Sequence, residues 1–198
     1  MTLLAARGAR LPTVGAMPGT VSKHDLRRAV AGRRQARSAA ERAEVARDLE
    51  ARVLALPEVS TARTVAAYAS YPSEPGTAPL RAALRGRGVR VLLPVLLADG
   101  DLDWVVDGAA PEHLGSTAIM RADVVLCPAT AVTAAGARLG KGGGSYDRAL
   151  ARLPPSALVV ALVHDDEVVE HVPVEPHDQL VDVVVSPRRT LRTGPYRA

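Results

Sequence analysis

Gly136-Ala-Arg-Leu-Gly-Lys-Gly-Gly-Gly-Ser-Tyr-Asp147 follows an apolar run, Ala122-Asp-Val-Val-Leu-Cys127. It leads into Tyr146-Asp-Arg-Ala-Leu-Ala-Arg-Leu153, which reads as a helix. Strand, glycine loop, helix is the unit around which an α/β sheet is built. Five glycines in twelve residues cannot be there to fill a core, because glycine has no side chain to bury and costs backbone entropy to order. They offer tight turns whose N–H groups can converge on an anion. Arg138 and Lys141 are threaded through them and Asp147 closes the run. A glycine loop that opens a helix is an arrangement that holds phosphate. The plainer reading is a flexible surface connection; the two cations and the following helix favour phosphate.

The loop is neither of the two common nucleotide motifs. A Walker A loop needs four residues between its glycines, then Gly-Lys-Ser/Thr. Here three residues separate Gly136 from Gly140, and Gly142 follows the lysine. The G-x-G-x-x-G pattern begins with Gly140 and Gly142 but meets Ser145 where its third glycine belongs. Composition sharpens Lys141. Of 25 Lys and Arg residues only Lys23 and Lys141 are lysine, and the chain has neither Phe nor Asn. A chain that uses Arg almost everywhere else keeps lysine where a compact ammonium suits better than a planar guanidinium. Chance survival of two lysines is the alternative.

At 198 residues the chain is long enough for one sizeable core. Residues 21–198 are expected to form one domain, and residues 1–20, with Gly8, Pro12, Gly15, Pro18 and Gly19, a disordered extension. Net charge is +4, concentrated early: residues 1–47 hold ten Lys/Arg against three Asp/Glu. Such a segment suits nucleic acid or an anionic cofactor, though a solvated helix face is commoner. The single cysteine, Cys127, cannot make an internal disulfide and fits a reducing, cytoplasmic setting. It ends an apolar run, so a buried, inert thiol is expected. No stretch approaches the roughly 20 apolar residues of a membrane span.

Ser22 with Asp25 caps a helix reaching about Arg37, and Ser38 with Glu41 is a cleaner capping box. The second helix carries Val45, Leu49, Val53 and Leu56 on one face, with Pro57 as its end. Thr64–Ala69 reads as a buried strand, Tyr71–Gly76 as a loop, and Thr77 opens a helix through Arg85. Val89–Pro94 is the next strand, and alternating Leu102–Val106 an edge strand or hairpin. Ala122–Cys127 is central, and Ala157–Val163 and Leu180–Val185 complete the sheet. The expected fold is α/β: a single three-layer domain with a mostly parallel sheet and helices on both faces. Ligands of such sheets bind beyond the carboxyl ends of the strands. Glu74 and the glycine loop fall at strand ends, with His177-Asp178 shortly before the last strand.

The glycine loop resembles the G-x-R-L-G-(R/K)-G-x-G-Y-Y-D box of the 5-formyltetrahydrofolate cyclo-ligase family, also called methenyltetrahydrofolate synthetases. Lys23-His-Asp-Leu-Arg27 is similar to that family's K-x-x-L-R, and Glu74-Pro-Gly-Thr77 to its E-x-x-T. Cys127-Pro-Ala-Thr-Ala-Val132 resembles the segment before the loop, and Pro173, Asp178 and Asp182 a late proline–aspartate segment. The likeness spans roughly residues 22–187, with Ser145 standing where the family has a tyrosine.

The resemblance implies a three-layer α/β fold and a ring closure. ATP, as co-substrate, phosphorylates the formyl oxygen of 5-formyltetrahydrofolate. The second folate nitrogen attacks the activated carbon and phosphate leaves, giving 5,10-methenyltetrahydrofolate and ADP. It implies ATP binding by Lys23, Arg27, Arg138, Leu139, Gly140, Lys141, Gly142, Gly143, Gly144, Ser145 and Tyr146. Lys141 and Arg138 are then catalytic, since phosphoryl transfer needs positioning and charge neutralisation. Glu74, Trp104 and Tyr146 would take the folate, Glu74 as an acceptor for pteridine N–H groups. Asp147 and Asp178 would hold Mg2+. The small-molecule substrates are the expected partners of a monomer, without nucleic acid or membrane.

Each residue also has a plainer reading. Glu74 alone is a surface acid, and Lys23 and Arg27 a solvated helix face. Trp104 is core first and a stacking platform second. His177 orients its loop rather than binding metal, and the remaining histidines have no metal spacing. Two further classes stay open: an ATP- or phosphate-binding enzyme of this fold without folate activity, and an RNA-binding module. The second leaves the glycine loop unexplained and lacks a basic, aromatic-rich strand.

Overall fold

The computed structural model describes residues 22–194. The expected extension at 1–20 lies outside the described residues. Helix α1 (Lys23–Ala36) starts where Ser22 accepts from the Asp25 N–H at 3.1 Å. Helix α2 (Ala39–Leu54) has the full capping box: Glu41 N–H donates to Ser38 Oγ and Ser38 N–H to the Glu41 carboxylate. Pro57 does not simply end that helix. It occupies the first turn of a short one, α3 (Pro57–Thr61), where its missing N–H has no partner to lose. Strand β1 (Thr64–Ala66), helix α4 (Ala78–Gly86), β2 (Arg90–Leu96) and β3 (Leu102–Val106) follow. After a 3-10 turn at Ser116–Arg121 come β4 (Val124–Pro128), β5 (Ala131–Thr133) and β6 (Arg138–Leu139). Helix α5 (Ser145–Leu150), β7 (Leu158–Leu162), β8 (Val168–Val169), β9 (Val183–Val185) and β10 (Thr190–Arg192) complete the chain.

The main sheet has the order β10-β9-β7-β4-β1-β2-β3. Its five inner strands run parallel, and β3 and β10 are antiparallel edges. Side chains of successive strand residues point to opposite faces. Val65, Val91, Val124, Leu126, Val160, Leu162, Val183 and Val185 therefore meet Leu49 and Val53 of α2, Val59 of α3, and Leu80 and Leu84 of α4. Their neighbours Ala66, Leu92, Val125, Cys127, Val159, Ala161 and Val184 meet Ala149 and Leu150 of α5 and Ile119 of the 3-10 turn. Helices therefore cover both faces, and the expected three layers are present. Leu49, Leu80 and Leu84 have no exposed surface; each contributes about 1.5–3 kcal/mol by burial. No described helix is long and apolar enough to cross a membrane.

A second, three-stranded sheet, β6-β5-β8, lies beyond the carboxyl ends of the main one. Helix α1 seals it: Leu26 packs on Ala131, Ala137, Leu139 and Val172. These strands of two or three residues are too short to show a period in sequence. They matter because β6 carries Arg138 and Leu139 straight into the glycine loop.

Candidate active site

Helix α1 presents Lys23, Arg27, Val30 and Arg34 along one stripe, and each reaches a different segment. Lys23 Nζ lies 2.9 Å from Asp178 Oδ2 and 3.2 Å from Glu175 Oε1. Arg27 Nε donates to the Gly140 carbonyl at 2.9 Å. Val30 is buried. Arg34 donates to both Glu167 oxygens and to the Ala129 carbonyl just past β4. The expected cations at 23 and 27 are thus brought to the glycine loop and to the Asp178 segment.

Arg138, buried on β6, donates from Nη2 to Asp147 Oδ1 at 2.6 Å. The same carboxylate oxygen accepts the Gln179 N–H at 3.2 Å. Asp147 and Asp178 therefore sit on adjoining segments. Asp178 Oδ2 also accepts the Glu175 N–H at 2.8 Å. Burial alone would raise the Asp178 pKa; the Lys23 ammonium and the Glu175 N–H outweigh it and hold the group below the usual carboxylate value.

Gly136 and Gly142 have φ of +90° and +110°, left-handed values that other residues rarely adopt. At Gly136 a Cβ would lie 2.4 Å from the Val181 carbonyl oxygen. At Gly142 the neighbour is the Arg27 guanidinium. Ser145, where the resemblance expects tyrosine, donates from Oγ to the Gly100 carbonyl in the β2–β3 turn. The side chain that replaces the aromatic anchors the loop to the edge hairpin. Helix α5 is only six residues long, shorter than the segment to Leu153, because Pro154 and Pro155 follow and disfavour helix before them. Any anion here would be held by loop amides and cations more than by a long helix dipole.

Lys141 Nζ pairs with Glu74 Oε1 at 2.8 Å, joining the glycine loop to the segment after β1. Glu74 is only 6% exposed. Its other oxygen accepts the Tyr71 N–H at 2.9 Å, and Thr77 ties the loop's base by donating to the Tyr68 carbonyl. The Lys141 ammonium lies 4.0 Å from the centre of the Tyr71 ring. The Tyr146 hydroxyl and Arg138 Nε are buried without a hydrogen-bond partner. Burial pushes the Tyr146 pKa well above its ordinary value, so it stays a neutral donor.

Of the two readings of Trp104, the structure keeps the core and overturns the folate-stacking platform. It alternates with Leu102 and Val106 on the inward face of β3 and has no exposed surface, packed in the core under α5. It offers no face for stacking. Sequence reasoning missed Tyr71, although it stands three residues before Glu74, and it missed the buried Arg34–Glu167 pair. Arg34 lies on the stripe of Lys23 and Arg27, the one signal that marked it. Cys127 is buried, as expected.

A mostly parallel sheet with cations and carboxylates gathered beyond its carboxyl ends around a glycine loop defines an α/β enzyme built for an anionic ligand. The model of the 5-formyltetrahydrofolate cyclo-ligase family matches residues 19–187, and the chain belongs to that family. A 5-formyltetrahydrofolate cyclo-ligase of Mycolicibacterium smegmatis is 40% identical over 145 residues, 64% of this chain and 75% of that protein. One from Escherichia coli is 32% identical over 174 residues, 79% of this chain and 96% of that one. The NMR structure of a 5,10-methenyltetrahydrofolate synthetase from Aquifex aeolicus superposes with a TM-score of 0.74 at 24% identity, covering 89% of this chain and 95% of that one. At that identity it bears on the fold alone.

Proposed function

We infer that this chain closes the ring of 5-formyltetrahydrofolate at the expense of ATP, giving 5,10-methenyltetrahydrofolate, ADP and phosphate. The observation that carries this reading is the contact of Lys141 with Glu74. It puts the glycine loop and the acid after β1 at one point, as a reaction between a phosphate and a folate requires.

Lys23, Arg27, Arg138 and Lys141, with the amides of residues 139–146, hold the ATP phosphates in this reading. Lys141 and Arg138 offset charge on the transferring phosphoryl group, the larger part of what such chemistry asks of a protein. Glu74 accepts pteridine N–H groups, and the buried Tyr146 hydroxyl and Arg138 Nε are donors awaiting oxygen acceptors. Asp147 and Asp178 would be the Mg2+ ligands. Among the described residues no three His, Cys, Asp or Glu gather as a metal cage. Two carboxylates on adjoining segments are the complement magnesium uses when phosphate oxygens and water fill its other positions. When bound, the ion neutralises phosphate charge.

The test is to add 5-formyltetrahydrofolate and Mg-ATP to pure protein and follow methenyl absorbance. Absorbance that grows only with all three components supports the reading. ATP hydrolysis that ignores folate points instead to a phosphate-handling enzyme without folate activity.

A further inference from the structure

We propose that Tyr71, not Trp104, is the aromatic surface on which the folate ring lies, on the face that Lys141 covers in this structure. The proposal rests on the reading of Glu74 as the pteridine acceptor. A flat ring that gives N–H groups to a carboxylate needs an apolar face beside that carboxylate, since stacking and in-plane hydrogen bonds act at right angles. Of the aromatic side chains described, Trp104 and Tyr68 are buried and Tyr146 is partly covered with a buried hydroxyl. Tyr71 is 65% exposed. Its position is fixed by the acid it would serve: its N–H donates to Glu74 Oε2, and the Glu74 N–H donates back to the Tyr71 carbonyl, both at 2.9 Å. The Tyr71 backbone and the Glu74 carboxylate are tied together, so the ring springs from a fixed point beside the acid.

Lys141 marks what that pair recognises. Its ammonium sits 2.8 Å from Glu74 Oε1 and 4.0 Å from the Tyr71 ring centre. A donor on the carboxylate and over the ring is the position that the N–H edge of a stacked pteridine would take. Both cannot be there at once. The Lys141 side chain is 60% exposed, so it can swing off without breaking a core. In the proposed reaction its other partner is the ATP phosphate. Nucleotide therefore draws Lys141 away and opens Tyr71 and Glu74 to the folate, so each substrate strengthens binding of the other.

The experiment is titration calorimetry of 5-formyltetrahydrofolate into wild type, Tyr71→Phe and Tyr71→Leu, with and without a non-hydrolysable ATP analogue, alongside KM for each substrate. Tyr71→Leu is expected to weaken folate binding roughly three- to tenfold, the scale of an aromatic stacking contact. Tyr71→Phe should bind within about twofold of wild type, because it keeps the ring. The melting temperature should stay put in both, as Tyr71 is exposed, and KM for ATP should not rise in either, since the ring only holds Lys141 in its resting position. In wild type the analogue should tighten folate binding. Wild-type folate affinity in Tyr71→Leu sinks the proposal, and so does an equal loss in Tyr71→Phe, which would point to the hydroxyl. Wild-type protein that binds no folate in either condition fails the reading of the site itself.

Discussion

Arg34 reaches across 133 residues of chain to Glu167, with Nε 2.7 Å from Oε1 and Nη2 2.9 Å from Oε2. Glu167 has no exposed surface and Arg34 is 6% exposed. The pair joins α1 to the turn after β7, and the His164 N–H and Ala129 carbonyl satisfy what the two ions leave over. Breaking such a pair from one side strands a buried charge, which costs about 3–5 kcal/mol. Arg34→Met and Glu167→Gln are each expected to lose stability on that scale in urea unfolding. The double variant should lose less than the two together. A loss under about 1 kcal/mol in both single variants would mean that water reaches the pair.

How much of this was legible in sequence depends on what each residue signals locally. The caps at Ser22 and Ser38 and the spacing of Leu49 and Val53 are local signals, and α1 and α2 form where they point. The runs around Val125 and Val160 are apolar on both faces, the mark of inner parallel strands. Pro57 carries two meanings and both hold: α2 stops before it, as expected, and α3 starts on it, which only the packing of Val59 reveals. Ala131–Thr133 and Arg138–Leu139 pair through a turn set by Gly136, and nothing within such short pieces shows a strand. At the site, Lys141 and Glu74 each carry a local signal but their contact does not, because it depends on how the glycine loop folds over the carboxyl end of β1. Of the two readings of Trp104, the alternation of Leu102, Trp104 and Val106 already favours core, and the structure agrees; the stacking role is the one that fails.

Gly136 and Gly32 should respond to alanine in opposite directions. At Gly136 a Cβ would meet the Val181 carbonyl oxygen at 2.4 Å, in a backbone with φ of +90°. Strain of that kind costs about 1–3 kcal/mol before the clash is counted. The Val181 N–H also donates to the Gly136 carbonyl, so a shift would move β6 and with it Arg138. Gly136→Ala should melt lower and turn over more slowly. Gly32 lies inside α1, where a methyl group on its Cα would meet nothing within 4 Å. Gly32→Ala should gain about 0.5–1 kcal/mol from reduced backbone entropy. Equal melting temperatures for the two variants would contradict both arguments.

His164 sets a pH dependence of stability. It is 2% exposed. Burial lowers its pKa below 6.5; Arg37 and Arg34 add to this, against the pull of Glu167 and Asp166. The unfolded chain then binds a proton more readily than the folded one. The resulting stability is fully present above pH 6.5 and is lost as pH falls through the lower folded value. Melting temperature should fall on acidification through that window, and His164→Gln should flatten the fall. An unchanged slope in the variant would move the effect to another group.

Lys141→Met and Lys141→Arg carry the last prediction. Lys141 stands in the glycine loop with its charge on Glu74, and the backbone around it has almost no side chains. In the proposed site the loop brings backbone close to the phosphates and leaves room for a compact charge. Methionine keeps length and loses the charge that offsets the transferring phosphoryl group, and losses of this kind cost about 10²–10³ in rate. Arginine keeps the charge but adds a planar fork between Gly140 and Gly142, so it should retain part of the activity. The lysine side chain is 60% exposed but Glu74 is 6% exposed, so Lys141→Arg, which keeps a partner for that carboxylate, should melt close to wild type and Lys141→Met somewhat lower. Turnover and melting of the three proteins side by side decide the matter. Wild-type turnover in Lys141→Met would take Lys141 out of the phosphate site and leave Arg138 and the loop amides to do its work.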